Sequence, residues 1–357
     1  MNKKVIQSTH IYILIIMSTG FMVHVLLHPV VLTSSRRDSW VSIIGSIVPF
    51  IIWTLIIYFV YKKFENKDIF ALLHSINPFI KYGICIFFAA YFFMTAFITF
   101  NYTFNFLKVN YAYDLPNFFI VLPLLLVCFF ASYKGIRVIS TMAFLLLPAV
   151  SMFGVLVAIG NMKYKDYTLL LPIFENGYKD FFRGIIYTCS SFFEIIYFLF
   201  LVPFMKDRIK AKWLLFTSIV IFILALGPLV GGIAEFGAEE ARNFTVPAFS
   251  EWKLVTVGIH ITRLDFLAVF QWLSGAFIRV SLSLFIAKQL FSNKEKNKWV
   301  LPILYVLLMV SVLIPWDFDS FYYFLYRIYF PVSMVFLFIS LGLFLLLSRI
   351  KGSASQE

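Results

Sequence analysis

Three charged residues stand in stretches that otherwise carry no charge, and they are the first places to look for chemistry. Glu194, Arg279 and Arg327 lie in apolar runs at 184–205, 266–287 and 320–348. A charge at the centre of hydrocarbon costs at least ~2.5 kcal/mol, so it turns toward a packed interior or a cavity. Glu194 shares a helical face with Ser190, Ser191 and Tyr197 at three- and four-residue spacing. Such a carboxyl either holds a proton, meets a ligand ammonium or bonds a neighbouring helix. Arg279 lies on a face with Gln271, Gly275 and Ser283, where it either pairs with Glu194, binds a carboxylate or pins a neighbouring helix. Arg327 stands one turn from Tyr323 and Pro331, near enough to the end of its run to reach the interface.

Uncharged polar residues form a second set of candidates. His24 and His28 are four apart, a spacing that can ligate metal, but no third ligand is near and no metal site is expected. Thr95, Thr99 and Tyr102 form a stripe, with Asn101 and Asn105 close by, that either lines a cavity or makes an ordinary helix contact. Cys85, Cys128 and Cys189 are far apart in apolar runs, which indicates neither a disulfide framework nor a zinc site. There is no phosphate-binding glycine loop, nucleophile elbow or metalloprotease helix motif, so neither an enzyme nor a cofactor is expected.

The elements that must position these residues are membrane helices. Of the 357 residues 61% are hydrophobic and 13% charged, against about 25% charged in soluble domains, which excludes a water-soluble fold. A hydrocarbon core ~30 Å thick needs ~20 apolar residues per helix. Seven runs qualify, at 11–33, 41–61, 82–107, 115–133, 138–162, 213–234 and 299–316, and the three charged runs bring the total to ten. In chain order they are spans 1 to 10. The first run is too long for a cleavable signal peptide, lacks a small-residue cleavage site and is followed by further spans; it reads as span 1.

Orientation follows from the basic residues. The ends and alternate loops, from Lys3 and Lys4 through Lys62–Lys81, Lys134–Arg137, Lys206–Lys212 and Lys288–Lys298 to Arg349 and Lys351, hold 18 cations and five acids. The opposite loops hold 10 cations and 12 acids. Both termini are therefore expected in the cytoplasm. The net charge of +12 is explained by this bias and calls for no nucleic acid.

No linker divides the chain, so residues 1–351 form one membrane domain with a short tail at 352–357. Two long outer loops, 161–183 and 235–264, are candidates for re-entrant or surface helices that cap a vestibule. Ten helices divide into two sets of five, about 10–160 and 182–349, and an odd number per set forces opposite orientations, as in the inverted repeats of LeuT-like transporters. Span 1 carries Ser18, Thr19 and Gly20 in its middle and Pro29 near its end; span 6 carries Thr188, Cys189, Ser190 and Ser191, then Pro203. Such residues permit unwinding, and an unwound segment presents N–H groups to an anion and carbonyls to a cation.

Several segments together resemble the B subunit of spore germinant receptors, the GerAB-like family of the amino acid, polyamine and organocation transporter superfamily. They are Arg37–Ser42, Tyr133–Arg137, Leu171–Pro172 with Gly177, Phe192–Glu194 running on to Pro203, Pro247, and Ile261–Asp265 leading to Trp272. In span 1 the chain has His24 where relatives carry glycine, and Val30 after Pro29. The resemblance implies a five-plus-five inverted-repeat fold in the spore inner membrane. It also implies a nutrient, such as an amino acid, as ligand, and assembly with an A-type membrane subunit and a C-type lipoprotein.

The ligand site expected from these readings comprises Ser18, Thr19, Gly20, His24, Tyr102, Thr188, Ser190, Ser191, Glu194 and Arg279, with spans 3 and 8 as walls. Two rival functions stay open: a proton-coupled amino-acid permease in which Glu194 or His24 carries the proton, and a non-binding scaffold for partner subunits. Under the first reading, Glu194→Gln is expected to weaken the nutrient response and leave folding intact.

Overall fold

The computed structural model describes residues 4–64, 69–175, 177–244, 246–256, 263–291 and 298–349. Outside these lie the 352–357 tail, Ile261 and Thr262 of the family segments, and some of the counted loop charges: Lys3, Glu65, Lys67, Asp68, Lys294, Glu295, Lys296, Lys351 and Glu357.

The described residues form an all-α, multi-pass membrane protein. Among them the only extended pairing is an isolated bridge between Ile6 and Met205. Eight helical stretches are long and apolar enough to cross a bilayer. The first, Ser8–Phe64, has 57 residues, about 85 Å at ~1.5 Å per residue, and one crossing cannot use that length. It breaks at Arg36, whose φ of 51° no helix continues, leaving two apolar segments that correspond to spans 1 and 2. Span 9, Val300–Leu313, is apolar but has only 14 residues. Counted this way, each of the ten expected runs coincides with a helix.

Local chemistry sets the ends. Span 3, Pro78–Asn110, opens with proline where a missing N–H costs nothing, and the Asn77 side chain accepts from Phe79 N. Gly135, at φ 94°, ends span 4 (Asn117–Lys134) and starts span 5 (Ile136–Gly160) with no further linker; a side chain there would be strained. Spans 4, 5 and 7 contain Pro123, Pro148 and Pro228 in their interiors. Each removes one ladder bond, which membrane helices tolerate when neighbours satisfy the freed carbonyl.

The buried centre is made by span 3 packed along span 8 (Phe266–Leu290), the most extensive contact among the described residues, with span 1 crossing spans 5, 7 and 8. Span 6 is the most enclosed, and span 5 presents Phe144, Met152 and Ile159 outward, as lipid contact requires. Close approach needs small residues: a Cβ on Gly184 of span 6 would overlap Ser35 Oγ and Ser42 Oγ.

One end of the bundle is tied to its neighbour across the sequence. Asp207 Oδ1 and Oδ2 accept from the Ser8 amide and hydroxyl, both at 2.6 Å, at the start of span 1. Val5 and Ile6 amides reach Phe204 O, and Lys206 N reaches Ile6 O.

Candidate functional site

Span 1 is α-helical over Ser8–Phe21, widens to a π-helix at Met22–Leu26 and returns to α-helix over Leu27–Ser35. The wide turn precedes Pro29, which has no N–H and whose ring crowds the carbonyl four residues back, that of Val25. The departure from α geometry therefore falls one turn later than Ser18–Gly20, the segment expected to unwind, which remains helical. The Met22 amide bonds Thr19 O, three residues back, and Ser18 O takes a partner from another span.

Span 6 begins after Gly177, runs as α-helix over Tyr178–Phe192 and tightens to a 3-10 helix over Phe193–Phe200. In 3-10 geometry each amide reaches back three residues, so carbonyls at the junction lose their usual donors. The Phe193 carbonyl accepts Trp53 Nε1 at 3.0 Å, with the Trp53 ring stacked on Phe193 at 4.2 Å.

Glu194 is the second residue of that tightened segment, and it meets Arg279 head-on. Arg279 Nη1 donates to Glu194 Oε2 at 2.6 Å and Nη2 donates to Oε1 at 2.8 Å. Nη1 also donates to Ser18 O at 3.0 Å, and Nε donates to Thr99 Oγ1 at 3.1 Å. Four spans, 1, 3, 6 and 8, thus converge on one guanidinium, and both charged side chains are fully buried. A planar fork against a carboxylate is the strongest geometry such a pair can take, and the extra acceptors compensate the desolvation of the arginine. Of the three fates open to Arg279 in the sequence, it adopts the pair with Glu194 and, through Ser18 O, the pin to a neighbouring helix.

A polar ladder supports the fork. Thr99 Oγ1 donates to Thr95 O at 2.7 Å while accepting from Arg279, and Thr103 Oγ1 donates to Thr99 O and accepts Trp272 Nε1 at 3.0 Å. On the other side lie Tyr91, Tyr197 and Tyr329. Tyr91 hydrogen-bonds Ser333, Tyr329 contacts Thr95 at 3.4 Å, and the buried Tyr197 hydroxyl meets no partner at hydrogen-bond geometry. Tyr91 and Tyr197 ring centroids are 5.9 Å apart.

The remaining expected residues divide. Thr188, Ser190 and Ser191 are buried, but their hydroxyls donate to the preceding turn of their own helix, at Gly184 O, Tyr187 O and Tyr187 O. Tyr102 stacks on Trp272 at 5.8 Å, within the aromatic wall between spans 3 and 8. Thr19 is buried, and Gly20 faces Leu224 of span 7, whose Cδ1 lies 3.3 Å from where a Cβ would be. His24 and His28 pack edge to face at 5.6 Å; His28 Nε2 pairs with Ala225 O at 2.8 Å, and the buried His24 Nδ1 has no partner. Arg327 is exposed and lies over the Tyr326 ring at 5.3 Å. A cleft of about 220 Å³ between spans 3, 4 and 8 is apolar, lined by Phe100, Cys128, Ala276 and Val280, among others.

Sequence reading missed Thr103, Trp272 as a bonding partner, and the Tyr91–Tyr329–Ser333 group. The signal was present for Thr103, which continues the Thr95–Thr99 spacing by one more turn. It was absent for the tyrosines, since tyrosine is common throughout this chain.

A family model described as "Spore germination protein" matches residues 5–319. The chain belongs to the spore germination protein family. Spore germination protein XB of Bacillus anthracis is 34% identical over 333 residues, covering 92% of this chain and 93% of that protein. Spore germination protein KB of Bacillus subtilis (strain 168) is 25% identical over 223 residues, 59% of this chain and 60% of its own length. Spore germination protein GerQB of Bacillus cereus is 23% identical over 287 residues, 77% and 76% of the two chains. The family is permease-like and is not one of enzymes, and its members place this chain in spore germination.

The segments that carried the spore germination protein resemblance have structural roles. Asp38 Oδ1 accepts Phe174 N at 2.7 Å, and Trp40 Nε1 reaches Leu170 O at 3.3 Å. Ser42 Oγ donates to Phe181 O at 3.1 Å. Together they fasten the loop before span 6, and the first turn of span 6, to the start of span 2. Arg37 pairs with Glu175 at 2.7 Å on the same face, partly exposed. Arg263 pairs with Asp265 just before span 8; its side-chain hydrogen bonds hold the Asp265 carboxyl below the usual carboxylate range.

Proposed function

We propose that this chain is a B-type subunit of a spore germinant receptor in the spore inner membrane, with both termini in the cytoplasm, and that it senses an amino acid. The observation that carries this reading is the Glu194–Arg279 fork, set where span 6 leaves α geometry and against Ser18 of span 1, a turn before span 1 does the same. A carboxylate and a guanidinium side by side are complementary to the ammonium and carboxylate of a zwitterion. In the form described here they satisfy one another; an amino acid that exchanged partners with both would lose no charge pairing and would hold the spans apart. Its binding selects the open conformer, and the population shift passes to the A-type membrane subunit and C-type lipoprotein, which convert it into germination.

Two breaks at matching places in spans 1 and 6 support the further reading of residues 10–160 and 182–349 as inverted repeats. A thermal-shift screen of the purified protein tests the ligand class, because a ligand selective for the native state raises its stability. Amino acids are expected to raise the melting temperature saturably, whereas sugars and nucleosides should not. Stabilisation by a neutral sugar alone would remove the zwitterion argument.

The unpartnered His24 Nδ1 beside His28 favours one second reading, a proton-coupled permease with His24 as carrier. Uptake of labelled amino acid into proteoliposomes, driven by a pH gradient, distinguishes it: a sensor binds without accumulating solute.

A further inference from the structure

Beyond the ends of spans 5 and 7 the fold gathers a second set of buried charges. Lys165 lies in the loop after span 5, Glu235 is the last residue but one of span 7 (Ala211–Phe236), and Glu251 sits in the short helix Pro247–Leu254. Lys165 Nζ is 3.6 Å from Glu235 Oε1, with the two side chains 8% and 0% exposed, and Glu251 is 4% exposed. The Asp166 amide fastens the loop to span 7 through Ala234 O at 2.8 Å.

Asn161 holds the frame. Its Nδ2 donates to Glu235 Oε2 at 3.1 Å and to the Glu251 backbone oxygen at 2.8 Å. Both amide hydrogens face oxygens, so the orientation of the group is fixed: a flip would set Oδ1 against two acceptors. Room for the Glu251 carboxylate is made by adjacent glycines. A Cβ on Gly231 would stand 3.3 Å from Glu251 Oε2 and 3.4 Å from Lys165 Nζ, and one on Gly232 would stand 3.3 Å from Glu251 Oε1.

Three oxygens of this cluster are buried with no hydrogen bond: Glu235 Oε1, which has only the Lys165 ammonium at 3.6 Å, and Glu251 Oε1 and Asn161 Oδ1. All three are acceptors, and buried acceptors require a donor or a cation. Two carboxylates against one ammonium leave a net charge of −1, which a single further positive charge neutralises. Carboxylate and amide oxygens are hard donors that take alkali and alkaline-earth ions in preference to soft metals, and the charge balance favours the monovalent class.

We propose that Glu235, Glu251 and Asn161 form a binding site for a monovalent alkali cation, with Lys165 as the resident counter-charge. The ion ties the loop after span 5 and the helix Pro247–Leu254 to the end of span 7, so it stabilises the cap on that side of the bundle. Burial first, and the Glu235 carboxylate second, push the Glu251 pKa well up, with Lys165 opposing; a proton therefore competes with the cation for the same carboxylate.

The test is a melting-temperature titration of the full-length protein in detergent at mildly alkaline pH. N-methylglucamine chloride is replaced stepwise by sodium or potassium chloride at constant ionic strength. The wild type is expected to rise by a few degrees and saturate, and Glu251→Gln to lose the rise. Lys165→Met, which makes the cluster more negative, should reach half-saturation at a lower cation concentration. A wild type indifferent to the cation overturns the proposal, as does a rise unchanged in Glu251→Gln. Stabilisation by acid alone, with no response to sodium or potassium, assigns the carboxylate a proton and also overturns it. If Glu251→Gln does not fold, Lys165→Met decides, and an unshifted half-saturation contradicts the site.

Discussion

Two buried charge clusters among the described residues are built on opposite terms. At the centre, Arg279 meets one carboxylate, one backbone carbonyl and one hydroxyl, and the charges of the pair cancel. Beyond spans 5 and 7, two carboxylates face one lysine, and three buried oxygens accept no hydrogen bond, Glu235 Oε1 having only that lysine at 3.6 Å. A pair that is closed on itself locks four spans together and opens only to something carrying both charges. An unbalanced cluster instead attracts a counter-ion of one sign. Burial alone therefore does not tell what a charged residue does; the local sum of charge and the tally of donors and acceptors do.

The same substitution should have a large effect in one place and a small one in the other. Glu194→Gln leaves Arg279 buried without a counter-charge, and removing one partner of such a pair typically costs about 3–5 kcal/mol. The fork therefore revises what Glu194→Gln is expected to do: a lost nutrient response would arise partly from lost folding. Denaturant unfolding should show the loss in Glu194→Gln and most of it regained in Glu194→Gln/Arg279→Gln, where two neutral amides face each other. A single variant as stable as the wild type would break the comparison.

Thr99→Val deprives Arg279 Nε of its acceptor, and hydrogen bonds to charged groups are worth about 1.5–3 kcal/mol; the same unfolding measurement reads it. Gly275→Ala follows. A Cβ there would lie 2.9 Å from Phe21 Cδ2, pressing span 8 off span 1 beside the fork at a cost of roughly 1–3 kcal/mol.

Glu251→Gln should change stability by no more than about 1 kcal/mol in cation-free buffer, because it relieves repulsion by Glu235 and breaks no bond. Its pH dependence carries the sign. With the Glu251 pKa raised in the folded state, its contribution is full below the ordinary glutamate value of ~4.3 and is lost as pH rises through the raised value. Melting curves of the wild type across that range should fall with rising pH, and those of Glu251→Gln should fall less. Smallest of all is Arg37→Ala, whose partly exposed pair with Glu175 is worth about 0.2–1 kcal/mol.

Much of this architecture was legible in the residues. The ten runs were visible because hydrocarbon demands long uncharged stretches, and Glu194 and Arg279 stood out because nothing else in their runs is charged. Their pairing was one of three alternatives, since a sequence does not say how helices rotate against each other. The break in span 1 was assigned to Ser18–Gly20 on residue type, yet it falls at Met22–Leu26, where Pro29 withdraws a donor and crowds a carbonyl. The hydroxyls of Thr188, Ser190 and Ser191 lay on the right helix, but the preceding turn is the nearest acceptor and takes them. The cluster beyond spans 5 and 7 was hardly legible: Asn161, Glu235 and Glu251 come from three segments whose meeting depends on the tertiary fold. The Gly231–Gly232 pair was its one local trace.

The fork as an amino-acid site is tested most directly by ligand-induced stabilisation of the wild type and of Glu194→Gln/Arg279→Gln in parallel. An amino acid that raises the wild-type melting temperature should leave the double variant unmoved while both proteins remain folded. Equal stabilisation of the two, or no response of the wild type to any amino acid, would contradict it.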